Sequence, residues 1–353
     1  MINLTERLLV FLFVGLITFT AWAQEPEPDE EEEDFSMYAD AELADGAKRF
    51  CTNKVLDQSP NKLISIGYDF QGAHDMTIGA WGSIPSTTVR VNQVSGIRIN
   101  GNVPVISKTN MLLNVGYSYW EANYTMAQSS DNPLVNTLDT RGLRTAGILA
   151  TFFKPLNEKQ FFLIQAQADL NGDYFLPDFQ PLTYLKYSGA AVYGWKKHDR
   201  LFYGFGMSRT YRIGEVNYVP IMLYNYTFPS RKWGIESALP VRAQLRRNFN
   251  PRTLAFFGYE LEGQSYRISN IEGINGVKDP ELRRSELRIR LTFERSLKDF
   301  IWISAQAGLR YNWNFNVDEG DFFRGFFGEQ PYLLENSLTN AMYFNVSINL
   351  VSP

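Results

Sequence analysis

Residues 285–314 read SELRIRLTFERSLKDFIWISAQAGLRYNWN, and the fold turns on how they alternate. In the first arm Leu287, Ile289, Leu291 and Phe293 alternate with Glu286, Arg288, Arg290, Thr292 and Glu294. Successive side chains of an extended chain point to opposite faces, so a period of two marks a strand with one apolar and one polar face. After a polar turn over 296–299, Ile301, Ile303, Ala305, Ala307, Leu309, Tyr311 and Trp313 alternate with Ser304, Gln306, Gly308, Arg310, Asn312 and Asn314. Two long, two-faced strands joined by a tight turn are the repeating unit of a closed transmembrane β-barrel.

The same pattern recurs from Lys62 onward. Alternating segments span 63–70, 88–100, 107–124, 141–153, 161–171, 183–194, 200–212, 216–228, 233–247, 252–268 and 341–350, separated by turn-forming residues. Short connections (100–104, 154–160, 195–199, 229–232, 295–299) alternate with long ones (71–87, 125–140, 171–182, 269–284, 315–340). That asymmetry is the habit of outer-membrane barrels, whose short turns face the periplasm. Six of the twelve lysines (Lys154, Lys159, Lys196, Lys197, Lys232 and Lys298) fall in the short connections, as on a solvated rim. With the opening hairpin the segments number thirteen, whereas two periplasmic chain ends require an even count. A turn at Leu239-Pro240 splits 233–247 into two short strands and gives fourteen. Twelve is the alternative, if that segment and one other are misdivided.

A secreted β-sandwich or sugar-binding barrel would alternate as well, with its apolar face buried. Strands of this length exceed the usual five or six residues of soluble sheets. The polar face carries small uncharged groups such as Gly204, Gly206, Ser208, Thr210 and Gly308, suited to a crowded lumen. Aromatics make up 15% of the chain and gather near strand ends, for example Trp195, Tyr311 and Trp313, as interfacial girdles do. No run beyond Ala23 approaches the length of a transmembrane helix. The chain is therefore read as an all-β, closed antiparallel barrel over 62–353.

Two segments precede it. Residues 1–23 carry Arg7, an apolar core over 8–19 and Ala21-Trp22-Ala23, the layout of a signal peptide with an A-x-A cleavage site. Residues 24–61 form an acidic extension, expected to be largely disordered in the periplasm, with eight carboxylates in EPEPDEEEED (25–34). Without those eight the formal net charge of −4 becomes +4, so the acidity belongs to the leader. A weak helical pattern covers 37–51. Cys51, the only cysteine, has no partner for a disulfide and no metal-site spacing, and reads as a small apolar residue.

Residues 203–240, YGFGMSRTYRIGEVNYVPIMLYNYTFPSRKWGIESALP, with GYELEGQSYRI at 258–268 and LRRSELRIRLTFER leading into the opening hairpin, resemble an uncharacterised family of outer-membrane β-barrel proteins of Bacteroidetes-type bacteria, described only as a domain of unknown function. The resemblance covers about 62–350. It implies an outer-membrane barrel of a Gram-negative cell and supplies no activity. One departure concerns the end: barrel assembly signals usually finish on an aromatic, but here Val351-Ser352-Pro353 follows Leu350. Outer-membrane lipids and the barrel assembly machinery are the expected partners.

The residues offer little catalytic chemistry. His74 and His198 each precede an aspartate, but His198 lies in a lysine-rich turn and no His-x-Ser spacing accompanies His74. Asp318, Glu319 and Asp321 read as an exposed acidic loop rather than a calcium site. We expect no enzyme, no metal site, no cofactor and no nucleic-acid partner. The informative polar set is the inward face: Glu236, Arg242, Arg246, Glu260, Glu262, Glu286, Arg288, Arg290, Glu294 and Arg310, of which Glu260, Glu262, Glu286, Arg288, Arg290 and Arg310 are the candidate lumen-lining residues. Such charges either line a water-filled passage for small solutes or pair across the barrel and close it. The first makes the protein a porin-like passive channel. The second makes it a closed structural or adhesive barrel that binds through its long loops.

Overall fold

The computed structural model describes residues 50–80, 82–175, 184–210, 217–269, 280–319 and 332–352. The expected signal peptide, the acidic run and nearly all of the 37–51 pattern lie outside the described residues, as does Asp321.

Fourteen strands close into an antiparallel barrel. They are β1 (Lys62–Gln71), β3 (Thr87–Lys108), β4 (Met111–Met126), β5 (Leu143–Pro155), β6 (Gln160–Gly172), β7 (Leu185–His198), β8 (Leu201–Thr210), β9 (Asn217–Thr227), β10 (Trp233–Leu239), β11 (Arg242–Asn250), β12 (Thr253–Arg267), β13 (Glu281–Lys298), β14 (Ile301–Asp318) and β16 (Ala341–Val351). Two short strands, β2 (His74–Ile78) and β15 (Ser337–Leu338), and a helix α1 (Pro133–Thr140) stand at the long-loop end. Closure is made by β1, whose Tyr68 faces Val346 of β16 on one side and Ile97 of β3 on the other. A closed ring leaves no sheet edge, the condition for a sheet to sit in lipid with its backbone groups paired.

The alternation resolves as an apolar exterior and a polar interior. Ile66, Leu291 and Ile348 are 56%, 57% and 58% exposed, whereas Ser304, Arg310 and Asn349 are fully buried. A soluble barrel would show the reverse. Aromatics ring the short-turn end on the outside: Trp195 stacks on Tyr203 with centroids 5.6 Å apart and meets Tyr193 edge-on at 4.8 Å. Tyr311 and Trp313 are exposed toward the opposite end. No helix among the described residues is long and apolar enough to cross a membrane.

The split at Pro240 is present, with β10 and β11 forming a hairpin from Trp233↔Arg247 to Ala238↔Arg242. The expected turn over 100–104 is not. There β3 runs on to Lys108, and the hairpin turns at Thr109-Asn110. Asn100-Gly101-Asn102 looks like a turn, but Gly101 serves packing: a Cβ there would lie 2.2 Å from the Tyr117 ring. The outward alternation also continues through Val103 and Val105, both exposed.

The connection expected over 125–140 contains α1, too short to show as a helical period. Asn132 caps it by accepting from the amides of Leu134 and Val135, Pro133 opens it, and Gly142 follows its end at φ 63°. Leu134, Val135 and Leu138 are buried in an apolar core with Met76, Tyr124, Tyr266, Leu282 and Phe315. This core lies at the long-loop end. The outer end of β12 leans over the lumen beneath it: Arg267 bridges Gly172 of β6 in parallel, and the Asn171 amide donates to Gln264 at 3.0 Å. These two strands lie on opposite sides of the ring.

Residues 50–61 form a strap across the short-turn mouth. The Cys51 amide donates to the Asn157 carbonyl at 3.1 Å and the Leu56 amide to that of Asp199 at 2.8 Å. Thr227 Oγ1 donates to the Leu56 carbonyl at 2.7 Å, and Ser59 gives its hydroxyl to Glu236 at 2.7 Å. Cys51 and Val55 pack with Phe153, Phe161 and Phe202. Of the lysines expected on a solvated rim, Lys196 instead turns inward onto Thr52 and the Lys54 carbonyl and is buried.

Candidate functional site

The inner face of β13 carries charges on alternate residues, so Arg284, Glu286, Arg288 and Arg290 stack along one side of the lumen. Their partners come from neighbouring strands and from across the barrel. Arg288 contacts Glu286 at 2.6 Å and Glu262 at 2.8 Å; Arg98 of β3 reaches Glu262 at 2.5 Å and Asp69 of β1 at 2.9 Å. Arg284 contacts Glu286 at 3.0 Å, and Arg310 of β14 donates to Gln71 at 2.6 Å while standing 3.9 Å from Glu286. Arg290 pairs with Glu260 at 2.5 Å. The guanidiniums of Arg98 and Arg284 also lie over the Trp120 ring, 5.1 and 4.9 Å from its centroid. Charges withdrawn from water persist only when paired and hydrogen-bonded in this way.

Toward the short-turn end the lumen opens into two adjoining polar cavities. One, of about 210 Å³, is lined by residues that include Asp69, Arg98, Glu260 and Arg288. The other, of about 270 Å³, includes Ser59, Glu236, Arg242 and Glu294, and both share Lys62, Arg290 and Gln306. Lys62 holds Glu294 at 2.6 Å, and Arg246 holds Glu236. Arg242 is exposed on the cavity wall and has no carboxylate partner among the described residues.

All six candidate lumen residues thus have their partners within the barrel, as do Glu236, Arg246 and Glu294. Asp69, Gln71, Arg98 and Arg284 belong to the same network, and the sequence reading passed over them. Asp69 alternates with Tyr68 and Phe70 within the segment 63–70, so its signal was present, whereas Gln71 fell in the connection expected over 71–87. Arg284 was assigned to a long connection because β13 begins earlier than its apolar residues suggest.

Residues 89–351 match the model of a domain of unknown function, DUF6268. The chain belongs to this family. No curated protein matches the DUF6268 chain in sequence. Among solved structures it is similar to an outer membrane channel from Pseudomonas putida F1, at 12% identity and a TM-score of 0.38, over 88% of this chain and 100% of that one. It is similar to the Pseudomonas putida toluene transporter TodX at 10% identity and a TM-score of 0.32, over 86% and 95% of the two chains. A Pseudomonas aeruginosa FadL homologue matches at 8% identity and a TM-score of 0.35, over 82% and 90%.

The histidines of the DUF6268 barrel are held by structure. His74 is buried with Nδ1 3.0 Å from the Gly72 carbonyl, while Asp75 pairs with Arg90 at 2.8 Å. Adjacent strand residues point to opposite faces, so the His74-Asp75 sequence does not make a hydrogen-bonded dyad. His198 accepts from the Arg200 amide at 3.2 Å in its turn. Among the described residues no three His, Cys, Asp or Glu side chains group as metal ligands. What the lumen does offer is charged cavity space above the strap and a cross-braced arginine–carboxylate ladder beyond it.

Proposed function

We propose that this protein is a porin-like passive channel for small solutes in the outer membrane of a Gram-negative bacterium, exported by its signal peptide and inserted by the barrel assembly machinery. Its short-turn end faces the periplasm. The paired polar cavities sharing Lys62, Arg290 and Gln306 carry this reading. A barrel serving only as a wall has no need of charged space in its lumen, and a small barrel fills its interior with side chains. The strap forms the periplasmic gate. Glu260, Glu262, Glu286, Arg288, Arg290 and Arg310 form the constriction, and unpaired Arg242 biases the vestibule toward anions.

Purified protein in a planar bilayer is expected to give discrete conductance steps, with the preference for anions reduced in Arg242→Glu. Silent bilayers from protein that retains heat-modifiable gel mobility, with and without residues 50–61, would overturn the channel. A second reading, a closed barrel that binds a partner at its outer end, draws on the apolar core that organises β2, α1 and β15 into a rigid platform. It expects no conductance, and loss of the partner on trimming the loop between β14 and β15.

A further inference from the structure

Among the described residues, the connected ion-pair network around Glu286 holds four arginines, Arg98, Arg284, Arg288 and Arg310, against three carboxylates, Asp69, Glu262 and Glu286. A guanidinium stays protonated at any physiological pH, so the network carries one uncompensated positive charge. The excess is at Arg310. Its closest carboxylate oxygen is 3.9 Å away, whereas Arg284, Arg288 and Arg98 each have one within 3.0 Å. Arg310 is fully buried, and its Nη1 donates to Gln71; Nε and Nη2 have no partner among the described residues. Nearby, Arg284 Nη1 and the Tyr124 hydroxyl are likewise buried and have no partner among the described residues. Tyr124 lies within electrostatic reach of Arg310, Arg284 and Glu286.

A buried charge without a counter-charge is strongly unfavourable, and a buried donor without an acceptor adds to that cost. Both deficits are met by one species: a compact monovalent anion accepting from Arg310 and Arg284. The geometry points to a small-anion site beneath the outer apolar core, taking a halide or a compact carboxylate and completing the charge balance of the ladder. The neutral hydroxyl of Tyr124 suits a singly charged guest; a dianion would overshoot the single excess charge.

The test holds ionic strength constant while sodium gluconate, too large for the site, is replaced by sodium bromide or sodium acetate, and follows the thermal midpoint by heat-modifiable mobility. Bromide is expected to raise the midpoint by roughly 2 °C or more per tenfold concentration, as a ligand of the folded state does. Arg310→Met should abolish the dependence. A rise with bromide alone assigns a halide site, and a rise with both assigns one that also admits carboxylates. No rise with either, or an undiminished rise in Arg310→Met, overturns the proposal. Should Arg310→Met fail to assemble, anomalous scattering from wild-type crystals in bromide decides: a peak in contact with the Arg310 guanidinium supports the site, and its absence there refutes it.

Discussion

Cys51 shows how one residue reports on the state of the mouth. Its thiol sits among Phe153, Phe161 and Phe202 and donates to the Gln160 carbonyl at 3.5 Å. Burial pushes its pKa above the ordinary 9.0, an effect partly opposed by the Lys196 ammonium. The seated strap therefore prefers the protonated thiol. The seating energy linked to this group is fully present below the ordinary value and is lost as pH rises through the raised one. Alkylation of folded protein is expected to be slow near neutrality and to climb with pH more steeply than for a free thiol. Labelling at the free-thiol rate would show that the strap does not occupy its seat.

Among the elements, the β10–β11 hairpin and the strap are the two that depart from a plain barrel. The hairpin is short: β10 pairs with β9 only as far as Leu239↔Met222, while β9 continues against β8 to Asn217. Pro220 lies in that outer part. The Thr227 amide points to β8, where it meets the Arg200 carbonyl, and amides alternate along a strand, so the nitrogen of residue 220 faces the side β10 no longer covers. Proline, lacking an N–H, is suited to that edge and to few other places in a sheet. The strap can be tested as an element by pairing Cys51 with Asn157→Cys, whose backbone it already meets at 3.1 Å. Oxidation should suppress conductance and reductant should restore it; unchanged currents in the oxidised protein would remove the strap as gate.

For the molecule as a whole, the ladder ties β1 and β3 to β12–β14 within the lumen, and its members differ in how far they depend on one another. Glu286 is buried against three arginines, so Glu286→Gln leaves uncompensated buried charge and is expected to cost about 3–5 kcal/mol. Glu294 faces a Lys62 side chain that is 33% exposed to the cavity, and Glu294→Gln is expected to cost about 1 kcal/mol. Urea midpoints of the folded band on gels should rank the two variants in that order. Equal midpoints would mean that the ladder is hydrated and does not brace the barrel.

Fold class and strand faces were legible along the chain because alternation is a local property: Leu291 and Arg290 declare opposite faces without reference to any partner. Strand number followed from parity and a single proline. The turn misplaced at Gly101, the concealed helix at 133–140 and the early start of β13 were not legible, since each rests on a contact far away in sequence, such as Tyr117 lying over Gly101. The lumen divides in the same way. That Glu286, Arg288, Arg290 and Arg310 point inward is a matter of period. That Arg98 and Asp69 join them, and that the resulting network carries one positive charge more than its carboxylates balance, arises only when ring closure brings β1 and β3 beside β12–β14. Charge balance is a sum over neighbours in space, and the sequence orders those neighbours by chain position instead.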